Sequence, residues 1–139
     1  MSEPILFATD AWIKQLMVEL NSSETYREAA RTWEGDLFFI IEPEGALAET
    51  VYLYVDLWHG ECRQAFVAVE PASLDPEFRL TAPVRVWKQI IERKLDPIKA
   101  MLTRKLKLQG NMAKIMKHVK AANEMVNCTT NIKTSFPID

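Results

Sequence analysis

The segment TVYLYVDLWHGECRQAFVAVE, residues 50 to 70, constrains the fold more than any other part of the chain. Val51, Leu53, Val55 and Leu57 fall on one side of an extended run, and Tyr52, Tyr54 and Trp58 fall on the other with Asp56 among them. His59-Gly60-Glu61 separates it from a second strand-like run, Cys62 to Glu70, and Pro43-Glu44-Gly45 closes an earlier one, Leu37 to Glu42. Such short links join neighbouring strands in antiparallel order, so the three runs read as a meander. Both faces of the middle strand are largely apolar; the sheet therefore needs cover on one side and a greasy contact on part of the other.

Helical patterns on both sides of the meander supply that cover. Thr9 or Asp10 can cap a first helix to about Leu20, with Trp12, Leu16, Met17 and Leu20 on one side. Asn21 with Glu24 reads as a capping box for a second helix to about Trp33, ended by Gly35. A fourth strand is expected over Glu77 to Thr81, and Pro83 then opens a helix to about Arg93 with Val86, Trp87, Ile90 and Ile91 as its stripe. Asp96 with Pro97 is an N-cap followed by a first-turn proline, giving another short helix. In RKLKLQGNMAKIMKHVK, residues 104 to 120, Leu106 and Leu108 alternate with polar neighbours until Gly110-Asn111, after which Met112, Ile115, Met116 and Val119 follow helical spacing to about Cys128. NIKTSFPID reads as a polar tail. Strands and helices are segregated rather than alternating. The expected class is α+β: a mainly antiparallel sheet of about five strands with helices packed on one face.

At 139 residues the chain suits one domain. MSEPILFATD has no secretory pattern and no run is long enough to span a bilayer, so a cytoplasmic protein is expected. Cys62 and Cys128 fit reduced thiols, although a single bridge stays open. Residues 1–70 hold 13 acids and 4 bases, a net of −9, whereas residues 71–139 hold 6 acids and 13 bases, a net of +7. The second half is thus the candidate for meeting an anion, while its lysines also suit the solvated face of a helix.

Chemistry that needs a constellation finds none. His59 and Cys62 flank a turn without an orienting acid, His118 sits among lysines, and metal-ligand spacings are missing. Gly110-Asn111 lacks the further glycines of a nucleotide loop, and the lysines lack interleaved aromatics, which argues against nucleic acid. No enzyme activity and no cofactor are expected. What remains is apolar volume: Met101, Met112, Met116 and Met125 gather in the last third, where methionine either fills a core or lines an adaptable surface.

The run PVRVWKQIIERKLDPIKAMLTRKLKLQGNMAKIMKHVK resembles the sterol-carrier-protein-like lipid-transfer domains. The resemblance rests on Trp87 in its helix, on Leu95, Asp96, Pro97, Ala100 and Met101, and on Lys105, Leu106, Lys107, Gly110, Asn111 and Met112. It implies an apolar tunnel between sheet and helices that holds a fatty acid, fatty acyl-CoA, phospholipid or sterol-like ligand. On that reading the wall comprises Trp87, Ile90, Ile91, Ile98, Met101, Leu102, Leu106, Leu108, Met112, Ile115, Met116 and Val119. Lys105, Lys114, Lys117 and Lys120 would meet an anionic headgroup or a transient anionic membrane surface. The rival is an interaction or dimerisation module of the same fold with a filled core. The family often has glycine where this chain has Arg93 and Arg104, a costly exchange if the backbone there needs φ > 0. Phe-Pro-Ile-Asp at the end is not a Ser-Lys-Leu peroxisomal address.

Overall fold

The computed structural model describes residues 3–138. Along the chain run β1 (Ile5–Leu6), α1 (Asp10–Ser22), α2 (Glu24–Ala29), β2 (Glu34–Glu42), β3 (Val51–Trp58) and β4 (Glu61–Val67). A single 3-10 turn (Pro71–Ser73) leads to β5 (Phe78–Pro83), α3 (Val84–Ile91), α4 (Pro97–Leu102) and β6 (Lys107–Gln109), and then to α5 (Met112–Met116), α6 (Val119–Thr129) and β7 (Thr134–Ser135).

Five strands form one sheet in the order β4-β3-β2-β5-β6. The expected meander is its first half: β2 pairs antiparallel with β3, Phe38 facing Tyr54, and β3 antiparallel with β4. β5 then lies parallel to β2, with Leu37 beside Phe78, and β6 returns antiparallel to β5. The β3–β4 turn needs two residues at positive φ, supplied by His59 (50°) and Gly60 (81°). Only glycine fits the second, because a Cβ there would lie 2.4 Å from the Arg27 carbonyl oxygen.

One sheet face and all six helices enclose the main core. The other face carries Phe38, Ile40, Tyr54 and Ala68, against which Tyr52, Phe66 and Leu74 pack, so the segment between β4 and β5 covers the second apolar face from within the chain. Asp36 accepts from Tyr54 Oη at 2.8 Å at the rim of that cluster.

Caps explain most helix starts. Thr9 Oγ1 accepts the Trp12 N–H at 3.3 Å for α1, and Asp96 accepts the Lys99 N–H at 2.9 Å for α4. The capping box expected from Asn21 is corrected: Ser23 Oγ takes the Tyr26 N–H at 3.1 Å, and α2 ends at Ala29. Asn21 instead pairs with the main chain of β4, donating to Cys62 O at 3.0 Å and accepting from Cys62 N at 2.8 Å. Asp10 likewise takes the Val67 N–H at 2.9 Å, so α1 satisfies part of the edge of β4. Gly35 belongs to β2, not to a helix end.

The last helix is not continuous. The chain breaks between α5 and α6 at His118, whose N–H bonds Ile115 O at 2.9 Å instead of Lys114 O. The Lys114 carbonyl lies 2.9 Å from His118 Nδ1, so the side chain takes the acceptor that the helical ladder would have used. Residues 131–138 are not a polar tail either. β7 pairs parallel with β1, and Ile132 and Phe136 are buried, Phe136 5.5 Å from the Phe7 ring.

Candidate functional site

Two apolar voids remain between the sheet and the helices. The first, about 90 Å³, is bounded by Trp33, Leu37, Phe78 and Leu80 below and by Met101, Ile115, Ala121, Ala122 and Met125 above, with Tyr26 and His118 at its side. α6 presents two alanines, Ala121 and Ala122, at its roof, which leaves space there. The second, about 60 Å³, lies between Leu53 of β3, Trp87, Ile90 and Ile91 of α3, Met125 and Val126 of α6, and Phe7, Trp12 and Leu16. Trp87 Nε1 is satisfied by Ala82 O at 3.0 Å, so its ring offers the void an apolar face.

The lining is electrically quiet. Burial holds the Tyr26 phenol well above its ordinary range, and Trp33 Nε1 donates to Gly35 O at 2.9 Å. His118 Nε2 lies 3.3 Å from Thr32 Oγ1, and its ring packs edge-on to Trp33 at 5.1 Å. Among the described residues no group of three or more His, Cys, Asp or Glu could hold a metal ion, and no helix is long and apolar enough to cross a membrane.

Of the wall residues expected from sequence, Met101 and Ile115 line the first void, and Trp87, Ile90 and Ile91 the second. Ile98 and Leu106 are buried in the core beside them, and Leu108, Met112 and Val119 pack against its margin. Two expectations are corrected. Leu102 is 61% exposed and Met116 44% exposed, so neither faces inward. Leu102 ends α4, where Arg104 turns the chain back so that Leu106 N bonds Ala100 O at 3.0 Å and Leu106 takes the inner place. Met116 ends the single turn of α5, whose inner position belongs to Ile115.

The lysines separate as well. Lys105, Lys117 and Lys120 are exposed. Lys114 is not poised for a headgroup: it lies 2.8 Å from Glu77, donates to the Glu34 carbonyl, and sits 5.1 Å above the Trp33 ring. Elsewhere Arg85 of the basic half pairs with Glu44 of the acidic half at 3.0 Å, so folding neutralises part of the basic half.

Sequence reading missed the floor of the first void and its two alanines. Aromatic and leucine positions on a meander look like ordinary core, and the Ala121-Ala122 pair was the available signal of space. Arg93 and Arg104 both adopt φ 63°, the left-handed backbone that favours glycine, at a cost of about 1 kcal/mol each.

Comparison with known proteins agrees with this architecture. The model of the SCP-2 sterol transfer family matches residues 13–123. A crystal structure of sterol carrier protein 2 is 30% identical with a TM-score of 0.81, covering 91% of this chain and 98% of its own. The solution structure of a conserved hypothetical protein from Thermus thermophilus is 32% identical with a TM-score of 0.84, covering 97% and 94%. Apo sterol carrier protein 2 from Yarrowia lipolytica, at 19% identity, TM-score 0.60 and coverage of 86% and 89%, shares the fold. No curated protein matches the chain. A family match over most of the chain, with two structures at 30% identity or above that superpose along nearly its whole length, places the protein in the SCP-2 sterol transfer family.

Proposed function

We propose that residues 1–139 act as one lipid-binding domain, which takes the apolar part of a fatty acid, fatty acyl-CoA or sterol-like lipid between the sheet and helices α3, α5 and α6, and releases it without bond-making chemistry. The observation that carries this reading is the pair of unfilled apolar voids. The first void, about 90 Å³, leaves the apolar faces around it without packing partners on one side, which a close-packed core avoids. A core with no task would close it with one larger residue at Ala121 or Ala122. Each methylene buried there offers about 0.8 kcal/mol. An apolar cavity of roughly 150 Å³ is known to take benzene; the first void, at about 90 Å³, suits a shorter alkyl segment as it stands and a longer tail once its walls shift.

Family membership supports the same class of ligand, and exposed Lys105, Lys117 and Lys120 suit a passing contact with an anionic membrane. The rival module with a filled core has less support, because the second sheet face is already covered by Leu74 and its neighbours.

Uptake of a fluorescent fatty acid tests the proposal. Ile115→Asp places a charge in the first void and should abolish uptake, whereas Met116→Lys, on an exposed side chain, should leave it unchanged. Undiminished uptake by a folded Ile115→Asp protein would remove the voids from the binding path.

A further inference from the structure

A third void extends the other two. A cleft of about 270 Å³ lies where the α3–α4 connection meets α6, lined by Ile90, Arg93, Leu95, Asp96, Asn123 and Val126 among others. It shares Ile90 and Val126 with the second void, and the second shares Phe39 and Met125 with the first. The three therefore adjoin in series, divided by the side chains they share, each with one side formed by α6.

The ends of the series differ chemically. The inner end is apolar. The outer end is lined by Arg93, whose guanidinium donates to Asn127 Oδ1 and, among the described residues, has no carboxylate within ion-pair distance. Asp96 shares the cleft, but its carboxylate accepts the Lys99 N–H at 2.9 Å as the cap of α4. Arg93 is also held at φ 63°, so an arginine occupies a backbone position where glycine would be easier.

The two shared boundaries differ too. Ile90 and Val126 are β-branched and stiff in their helices, whereas Met125 is unbranched and can swing.

We propose, building on the lipid-binding reading, that the three voids form one channel for a single-chain lipid with a carboxylate head, the head held by Arg93 and the tail passing Ile90 and Val126 and then Met125. A guanidinium has several N–H donors in a fixed fork, of which one is engaged by Asn127, so donors remain for a carboxylate.

The test compares dodecanoate with 1-dodecanol, the same tail with a neutral head, by displacement of a neutral naphthylamine fluorophore. Wild-type protein should bind dodecanoate about tenfold more tightly than the alcohol, the size of one charge-assisted hydrogen bond. Arg93→Gly and Arg93→Gln should each erase that preference while leaving the alcohol unchanged. Arg93→Gly should melt at or above the wild-type temperature, so its loss cannot be put down to unfolding. Met125→Trp should weaken dodecanoate more than hexanoate. Binding of both ligands with no effect of Arg93 overturns the channel assignment and leaves lipid binding standing. Binding of neither ligand to the wild type overturns both.

Discussion

Gly110 rests directly on the ring of Phe78: a Cβ at residue 110 would lie 2.4 Å from Phe78 Cδ1 and 3.1 Å from the Glu77 carbonyl oxygen. Phe78 is fully buried and forms part of the floor of the first void. The turn from β6 into α5 is thus set by the same side chain that bounds the candidate site. Gly110 also has φ 135°, which an L side chain rarely adopts. Gly110→Ala should cost about 2–4 kcal/mol in urea unfolding and reduce lipid uptake together with stability.

The backbone at Arg104 predicts the opposite sign. With φ 63° and no role in the voids, Arg104→Gly should gain about 1 kcal/mol, raising the melting temperature by roughly 3 °C. Uptake should not change, which calorimetry and ligand titration of the same sample would show.

Filling the first void should separate binding from stability. Ala122 stands at the roof of that void, half-buried, with space beneath it. Ala122→Leu should be neutral or stabilise by up to about 1 kcal/mol, and should exclude fluorescent fatty acid. A variant that melts higher yet still takes up lipid would contradict the proposed site.

Both thiols are buried and free, and burial pushes Cys62 up to about 12 and Cys128 above its ordinary value. Neither should react with a maleimide or disulfide reagent at pH 8 until the protein unfolds. The sign with pH follows: the folded state keeps these protons longer than the unfolded chain. Stability is full below about pH 9 and falls between about 9 and 12, as the unfolded thiols ionise first. Chemical denaturation at pH 8 and pH 10 checks it, and Cys62→Ala should flatten the decline.

Phe136 closes the base of the core beside Phe7, with Lys88 Nζ 5.6 Å above its ring. Phe136→Ala should cost about 3 kcal/mol by equilibrium unfolding.

That last residue shows where sequence reading stops. NIKTSFPID has no period, and its two buried residues are placed by a two-residue strand pairing with β1 across the whole chain, which local pattern cannot show. The meander, by contrast, was legible because alternation and tight turns are local, and Asp96-Pro97 was legible because a cap is chemistry between near neighbours. The break at His118 was not, since it depends on an imidazole competing for a carbonyl without any glycine or proline to mark it. Around the voids, the inward places of Trp87, Ile90, Ile91 and Ile115 were legible from helical spacing, whereas Met101 stood out only in the methionine cluster and the family resemblance. Met116 and Leu102 shared that spacing but ended their helices, where one more residue rotates a side chain into water.

The main-chain groups of β4 at Cys62 and Val67 are already engaged by Asn21 and Asp10, and the opposite border of the sheet, β6, is three residues long. A strand from another molecule finds almost no row of donors and acceptors to zip onto at either border. Cross-β templating is thereby discouraged, and a greasy interior can be kept open without inviting the chain to polymerise.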